Sequence, residues 1–331
     1  MDVGIRKNRI LVVTTGGTIC STEGADGLND INSSGTVPVL VNLTKECLKG
    51  YEDIVYDTIS PIDTLSENMT VGHWNKLLET LRTIEYSLYD GVIILHGSDT
   101  LHMTSPLMAY MMQGLGLPVV MVAANRILTD PKSNGVNNMA YAVRFIMKGV
   151  PGVYVIYRNT DGVTYLHDAL ELEQCGDYSE DFFSRRMLDI SGIEEDENTD
   201  GDKYPGSYRS ETKRALLYEQ IKLTNSILYI KPYVGINYDL FTLQGVKAVL
   251  HGLYHSSTAR TNTDVDERDS SSVLSLIDRC NEAGIPVYIH PCERESVRYS
   301  SSVPMLEHGA IPISGHTWNA TLIGLMIKYS E

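Results

Sequence analysis

Residues 9–18 read RILVVTTGGT, a run of aliphatic and β-branched residues that ends in two glycines. Unbroken apolar runs of this kind are typical of strands that are buried on both faces of a parallel sheet. Residues 91–100 have the same design, because the apolar run GVIIL is followed by HGSDT. We therefore predict two buried strands, each followed by a sharp turn that carries hydroxyl or carboxylate side chains.

Two more strands are predicted further along the chain, at residues 118–123 (PVVMVA) and 152–157 (GVYVIY), with helical patterns near 105–114 and 136–148. Strands that alternate with helices indicate a doubly wound, parallel α/β sheet. Ligands of such sheets bind outside the carboxyl ends of the strands. We therefore expect the two turns to share one edge of the sheet, which brings Thr18 towards Ser98 and Asp99.

Residues 191–210 (SGIEEDENTDGDKYPGSYRS) are acidic and nearly free of aliphatic side chains, which is typical of a surface loop or an interdomain linker. The strand and helix patterns then resume over a shorter stretch. We predict an N-terminal domain at residues 1–190, an acidic linker at 191–211 and a smaller α/β C-terminal domain at 212–331.

The composition limits the class of partner. A formal net charge of −15 disfavours binding to nucleic acid or to anionic membranes, both of which need a basic surface. The first apolar run is too short for a signal peptide, and no run approaches a membrane span. Five irregularly spaced cysteines fit reduced thiols better than a disulfide framework. We expect a cytoplasmic protein with a small-molecule substrate.

The two turns carry the residue types that covalent or acid–base chemistry needs. Adjacent glycines allow a close approach of ligand to backbone N–H groups, and a threonine after them can present its hydroxyl. In the second turn, Ser98 could act as a nucleophile or proton relay, and Asp99 could orient an amine. Simpler alternatives are that the glycines only shape a turn and that Asp99 caps the following helix.

The motifs TTGGTI at residues 14–19 and HGSDT at 96–100 resemble those of the bacterial L-asparaginase family. The similarity continues through residues 65–74 (LSENMTVGHW) and 149–157 (GVPGVYVIY), and residues 26–28 stand where the family has a mobile loop. The resemblance implies the two-domain asparaginase-like fold. It also implies hydrolysis of L-asparagine to L-aspartate and ammonia through a threonine acyl-enzyme, with no metal or organic cofactor.

The resemblance also implies roles for single residues. Thr18 would be the nucleophile, Ser98 would replace the family's second threonine, and Asp99 would bind the α-amino group. Ser66 would bind the α-carboxylate, and the glycine turns would supply N–H donors to the oxyanion. The substrate-binding set is then Gly17, Ser66, Glu67, Gly97, Ser98 and Asp99. Because a neighbouring subunit completes the family's site, a homodimer or homotetramer is expected.

One departure bears on the mechanism. The family has a lysine just after its fourth strand, whereas the corresponding residues 166–173 (LHDALELE) contain none. Glu171 or Glu173 is predicted to occupy this position, and a glutamate of raised pKa is one candidate base. The other candidates are His96, His102, His167 and Lys132. The family's SD-x-x-x-N segment is also altered, since Asn134 replaces its aspartate.

The lost lysine leaves two alternatives to asparagine hydrolysis. One is a related amidase that acts on another small carboxamide, and the other is a non-catalytic protein that binds an amino acid. The archaeal tRNA-dependent amidotransferase also has a component that shares these motifs. The acidic charge, and the absence of an extra N-terminal domain in these residues, disfavour that last identity.

Overall fold

The computed structural model describes residues 8–24, 26–193, 203–205, 215–262, 269–293 and 299–331. The chain divides into two compact units, residues 1–220 and 221–331. Part of the predicted linker packs within the first unit, because the buried ring of Tyr204 lies edge-on to Phe145 with 5.3 Å between the ring centroids. Residues 194–202 and 206–211 of that linker lie outside the described residues.

The first unit contains eleven strands and four α-helices within the described ranges. The strands are β1 (Arg9–Thr14), β2 (Ser21–Glu23), β3 (Asn29–Ile31), β4 (Val55–Ile59), β5 (Gly91–Leu95), β6 (Pro118–Val122), β7 (Gly152–Arg158), β8 (Thr164–Asp168), β9 (Leu172–Glu173), β10 (Phe183–Ser184) and β11 (Met187–Asp189). The helices are α1 (Ser33–Cys47), α2 (Val71–Arg82), α3 (Leu101–Met112) and α4 (Gly135–Ile146).

Seven of these strands form the main sheet, in the order β11-β8-β7-β6-β5-β1-β4. Strands β4, β1, β5, β6 and β7 are parallel to one another, and β8 is antiparallel to both of its neighbours. After β1 the chain first adds β4 on one side and then β5 on the other. The strand order therefore reverses between β1 and β5, and a crevice at such a reversal is the usual ligand site of this architecture.

Both faces of the main sheet are covered at its central strands, which is why β1, β5 and β6 are almost wholly apolar. Alternate residues, such as Ile10 and Val12, pack with Val37 of α1 and Met139 of α4 in one core cluster. The intervening residues are also buried. On the other side α2 and α3 are joined by a hydrogen bond of 3.0 Å from the Trp74 indole N–H to the Thr104 hydroxyl. Such burial stabilises the fold by roughly 1.5–3 kcal/mol for each large aliphatic side chain.

The second unit has a four-stranded parallel sheet. Its strands are β12 (Ile227–Ile230), β13 (Ala248–Gly252), β14 (Val287–His290) and β15 (Ile311–Pro312), and its helices are α5 (Val273–Glu282), α6 (Val303–Glu307) and α7 (Trp318–Lys328). The cluster that contains Val249 and Ile277 covers one face, and the cluster with Leu250 and Leu325 covers the other. The predicted combination of a doubly wound domain and a smaller α/β domain is confirmed. No helix among the described residues has the length and apolar character needed to cross a bilayer.

Candidate active site

The first turn follows β1 directly. Gly16 and Gly17 have φ values of 94° and 77°, a region that side chains with a Cβ rarely adopt. The Gly17 N–H donates to the Thr64 carbonyl at 3.0 Å. Gly17 is therefore not available as an N–H donor to a ligand, contrary to the role implied by the resemblance. Thr18 comes next, half-buried, at the start of a 3-10 helix that spans Thr18–Cys20.

The second turn follows β5 and touches the first. A Cβ built on Gly17 would lie 2.2 Å from the α-carbon of Gly97, so the two glycine backbones are in direct contact. Consecutive α-carbons are about 3.8 Å apart, and the α-carbons of Thr18 and Ser98 are therefore at most about 11 Å apart. The predicted convergence of the two turns at one sheet edge is what the structure shows.

A third segment completes this contact. A Cβ on Gly97 would lie 2.5 Å from both the Cβ and the hydroxyl oxygen of Ser66. The buried Ser66 hydroxyl donates to the Oδ2 of Asp99 at 3.1 Å, and the Thr100 hydroxyl donates to the Ser66 carbonyl at 2.9 Å. Ser66 thus aligns the exposed carboxylate of Asp99. Helix α3 begins after Thr100 with no side-chain cap, so Asp99 does not serve as its cap. Glu67 is exposed beside Ser66.

A cavity of about 280 Å³ opens at this edge of the sheet. Ser98 and Asp99 line one part of it, and Asn125 and Tyr157 line another. The remaining wall comes from the segment between β9 and β10, through Gln174, Cys175, Gly176, Asp177, Ser179 and Glu180. Thr18 is not among the lining residues, and its nearness to Ser98 rests on the Gly17–Gly97 contact. The sequence motifs identified Ser98 and Asp99 but not this wall, which has no recognisable pattern.

The Glu180 end of the wall is held by polar contacts. Glu180 accepts a hydrogen bond of 2.8 Å from the Asn125 amide and forms an ion pair of 3.1 Å with Arg126. Asn134 fixes Asn125 in turn, because its side-chain oxygen accepts from the Asn125 N–H at 2.9 Å while its amide donates to the Arg158 carbonyl at 2.8 Å. The asparagine that replaces the family's aspartate therefore has a structural role at the cavity.

The two glutamates predicted to replace the lysine lie outside this cavity lining. Strand β8 runs antiparallel, so the chain moves from the carboxyl edge at Thr164 towards Asp168, which pairs with Tyr154 near the start of β7. Glu171 follows, 3% exposed, and its Oε1 forms an ion pair of 3.0 Å with Arg185. Glu173 is exposed on β9. Neither glutamate lines the cavity, although the adjacent Gln174 does, and the role of the two glutamates as a base stays a prediction.

The histidine candidates are buried and neutral. Burial lowers the pKa of His96 and of His102 to about 4, and that of His167 to about 3. The His96 Nδ1 lies 2.8 Å from the Gly97 carbonyl oxygen. His167 lies opposite Val155 on β7, with its Nδ1 3.0 Å from the Ser184 hydroxyl. Lys132 is exposed and does not line the cavity. None of the five cysteines forms a disulfide.

Comparisons with known proteins agree with this geometry. The family description "Asparaginase, N-terminal" matches residues 9–196. The chain is 27% identical over 303 residues to a component of the glutamyl-tRNA(Gln) amidotransferase of Methanosphaera stadtmanae, an alignment that covers 85% of this chain and 62% of that protein. It is 30% identical over 152 residues to the L-asparaginase of Thermococcus kodakarensis, covering 45% of this chain and 44% of that protein. The chain thus spans less than two thirds of the length of either relative.

Two solved structures have the same fold. The thermostable L-asparaginase of Thermococcus kodakarensis superposes with a TM-score of 0.73 at 21% identity, covering 96% of this chain and 92% of that one. L-asparaginase I of Vibrio cholerae superposes with a TM-score of 0.72 at 19% identity, covering 98% and 93%. At these identities the likeness establishes the fold.

Proposed function

Because the chain belongs to the asparaginase family, we propose that it is an amidohydrolase that cleaves a small carboxamide, L-asparagine first, through an acyl-enzyme on Thr18. The observation that carries the proposal is the direct contact between Gly17 and Gly97 at the strand-order reversal. This contact limits the separation of the Thr18 and Ser98 α-carbons to about 11 Å, next to a cavity that Ser98 and Asp99 line, and it supports a shared site for the two hydroxyls.

In the first step, the Thr18 oxygen attacks the carboxamide carbon and the carbonyl oxygen becomes an oxyanion. A hydroxyl can accept one proton while it donates another. Ser98 would therefore take the Thr18 proton and pass its own to the amide nitrogen, which leaves as ammonia. Water then attacks the threonine ester, returns a proton to the Thr18 oxygen and releases the carboxylic acid. This relay needs neither Glu171 nor Glu173.

Asp99 would hold the substrate's ammonium group. Its carboxylate is exposed at the cavity and aligned by the Ser66 hydroxyl. Among the described residues, the cavity lining contains two further carboxylates, Asp177 and Glu180, and no lysine or arginine. A substrate that carries an amine is therefore favoured over one that carries only an acidic group.

The test is ammonia release from a panel of amides: asparagine, glutamine, N-capped asparagine and amides that bear a second amine. We expect release from asparagine by the wild type, its loss in Thr18→Ala, and partial retention in Thr18→Ser. Thr83→Ala is the matched control, because that threonine lies at the exposed end of α2. Ser98→Ala should slow turnover and Ser98→Thr should preserve it.

The other results have distinct meanings. Release from another amide but not from asparagine would replace the substrate and keep the reaction class. Release that persists in Thr18→Ala would refute the nucleophile. Calorimetric binding of asparagine without turnover of any amide would identify a ligand-binding protein. Sedimentation analysis should also show the dimer or tetramer expected from the resemblance.

A second candidate function follows from the alignment with an amidotransferase component over 85% of this chain. A protein of that kind would act together with tRNA. The net charge of −15 works against such a role. We expect no mobility shift of tRNA at low salt and no effect of tRNA on ammonia release, whereas stimulation by tRNA would favour the amidotransferase role.

A further inference from the structure

We propose that His96 is a positioning residue, which holds the Gly97–Ser98 peptide so that the Ser98 N–H faces the substrate carbonyl oxygen. The inference rests on the proposed function for its catalytic meaning. Its structural basis is the contact of 2.8 Å between His96 Nδ1 and the Gly97 carbonyl oxygen. Because a carbonyl only accepts hydrogen bonds, this contact requires the proton to be on Nδ1.

The hydrogen bond to the Gly97 carbonyl also fixes the direction of the Ser98 N–H, because the two groups belong to one planar peptide unit. In a planar trans peptide the C=O and the following N–H point to opposite sides. The Gly97 carbonyl points at an imidazole that is fully buried in the core. The Ser98 N–H must then point away from the core, and Ser98 itself lines the cavity. Among the described residues, the Ser98 N–H has no backbone acceptor.

The imidazole is well suited to a fixed orientation. Burial lowers the pKa of His96 to about 4, so the ring is neutral at physiological pH, and the contact with the Gly97 carbonyl selects the Nδ1–H tautomer. Its Nε2 makes no hydrogen bond with the described residues, as expected for a lone pair that faces the apolar interior. The His96 N–H is itself fixed in the sheet by a bond of 2.9 Å to the Val122 carbonyl. Both ends of the residue are therefore anchored.

His102 strengthens the same turn from the other side. It lies in the first turn of α3, close enough to His96 to lower that residue's pKa. A hydrogen bond with the backbone of Asp99 acts on His102 itself and opposes the effect of burial on its pKa. Two buried, neutral imidazoles thus contact the backbone on either side of Ser98. A backbone donor that is fixed before the substrate binds stabilises developing negative charge without reorganisation.

The test compares two substitutions of His96. His96→Leu removes the donor, whereas His96→Asn places an amide N–H at the position of Nδ1. With the best amide of the panel, we expect His96→Leu to lower kcat by about 10- to 100-fold with KM changed less than about threefold, below the roughly 100- to 1,000-fold loss of a direct oxyanion donor. His96→Asn should recover most of the loss. His251→Leu, which removes a buried histidine of the second unit, should leave kcat unchanged.

A spectroscopic measurement separates this inference from the proposed function. Long-range ¹H–¹⁵N spectra of ¹⁵N-histidine protein should show His96, assigned by its loss in His96→Asn, as the neutral Nδ1–H tautomer from pH 5 to 8. An Nε2–H tautomer would overturn the proposal. So would a His96→Leu variant with wild-type kcat, or a folded His96→Asn variant as slow as His96→Leu. If no amide is turned over, the proposed function fails, and the tautomer alone decides: Nδ1–H supports the anchored peptide and Nε2–H refutes it.

Discussion

Substitution of Gly97 by alanine tests the packing of the three segments at the candidate site. The new Cβ would lie 2.5 Å from the Ser66 Cβ and 3.0 Å from the Gly17 α-carbon. Carbon atoms prefer separations of about 3.5–4.0 Å, so the segments must move apart by about 1 Å. Overpacking of this size costs about 1–3 kcal/mol, and a weakened Ser66–Asp99 hydrogen bond adds about 1 kcal/mol. We expect the free energy of unfolding to fall by about 2–4 kcal/mol.

Urea unfolding followed by fluorescence is a suitable assay, because the chain has only two tryptophans. In a Trp318→Phe background the signal comes from Trp74 of the first unit. Gly192→Ala is the control, since its added Cβ would have no heavy atom within 4 Å. That variant should stay within about 0.5 kcal/mol of the parent. Turnover of Gly97→Ala should also fall, because the Ser66–Asp99 contact shifts.

A double-mutant cycle identifies the cause. Ser66→Gly removes the atoms that the new methyl group would meet, so Gly97→Ala should cost less in the Ser66→Gly background. We expect a coupling energy of about 1 kcal/mol or more for residues in direct contact. A Gly97→Ala protein as stable as its parent would refute the close packing of the two turns. Additive effects of the two substitutions would show that Ser66 is not the obstacle.

Three more predictions concern the surroundings of the site. Burial lowers the pKa of His167 to about 3 from the usual 6.5. Between these two pH values the unfolded chain binds a proton at this residue and the folded protein does not, so the free energy of unfolding decreases as the pH falls below 6.5. His167→Phe should make the free energy of unfolding less dependent on pH between 6 and 4, by about 1.4 kcal/mol per pH unit, and an unchanged slope would contradict this. Arg185→Ala should destabilise the protein by about 1–3 kcal/mol, because it removes the arginine that forms an ion pair with buried Glu171. Glu171→Gln should keep turnover within about twofold. A large loss of turnover in Glu171→Gln would support Glu171 as the base. Asn134→Ala removes two hydrogen bonds at the cavity, one of which holds Asn125, and should lower stability by about 2–3 kcal/mol. It should also raise KM several-fold, because Asn125 lines the cavity. An unchanged KM would show that Asn125 does not bind substrate.

The strands that carry the site could be predicted because their burial leaves a direct record in the sequence. The run at residues 9–15 matches β1 to within one residue, and GVIIL matches β5 completely. Both strands are covered on two faces, so all their side chains are apolar except Arg9 and Thr14 at the ends of β1. Strand β4 has no such record. Its sequence VYDTI contains an aspartate and its side chains are partly exposed at the sheet edge, so it was not predicted.

The sequence could not show which residue faces Ser98 in place of the family's lysine, because that depends on the direction of β8 and the course of the segment after it. Glu171 and Glu173 were chosen from their position along the chain. In the structure β8 is antiparallel and leads the chain towards the start of β7, and the following segment reaches the cavity at Gln174. Neither the direction of a short strand nor the return of a loop has a periodic signature. The hydrogen bond between His96 and the next peptide was likewise invisible, since it depends on one side-chain rotation.

The cavity is lined by two kinds of structure: the ends of strands of the main sheet, and one surface segment between β9 and β10, which we call the excursion. The turn that carries Ser98 and Asp99 is interlocked with its neighbours, since Gly17, Gly97 and Ser66 leave no room for an added methyl group. The excursion is exposed and tied mainly through Glu180 and through Asp181, which accepts from the Thr160 N–H and hydroxyl at 2.7 and 2.9 Å. Amino-acid changes in the excursion can therefore reshape what enters without altering the reacting groups. Proteins with this fold can therefore differ in substrate while they keep the same reaction.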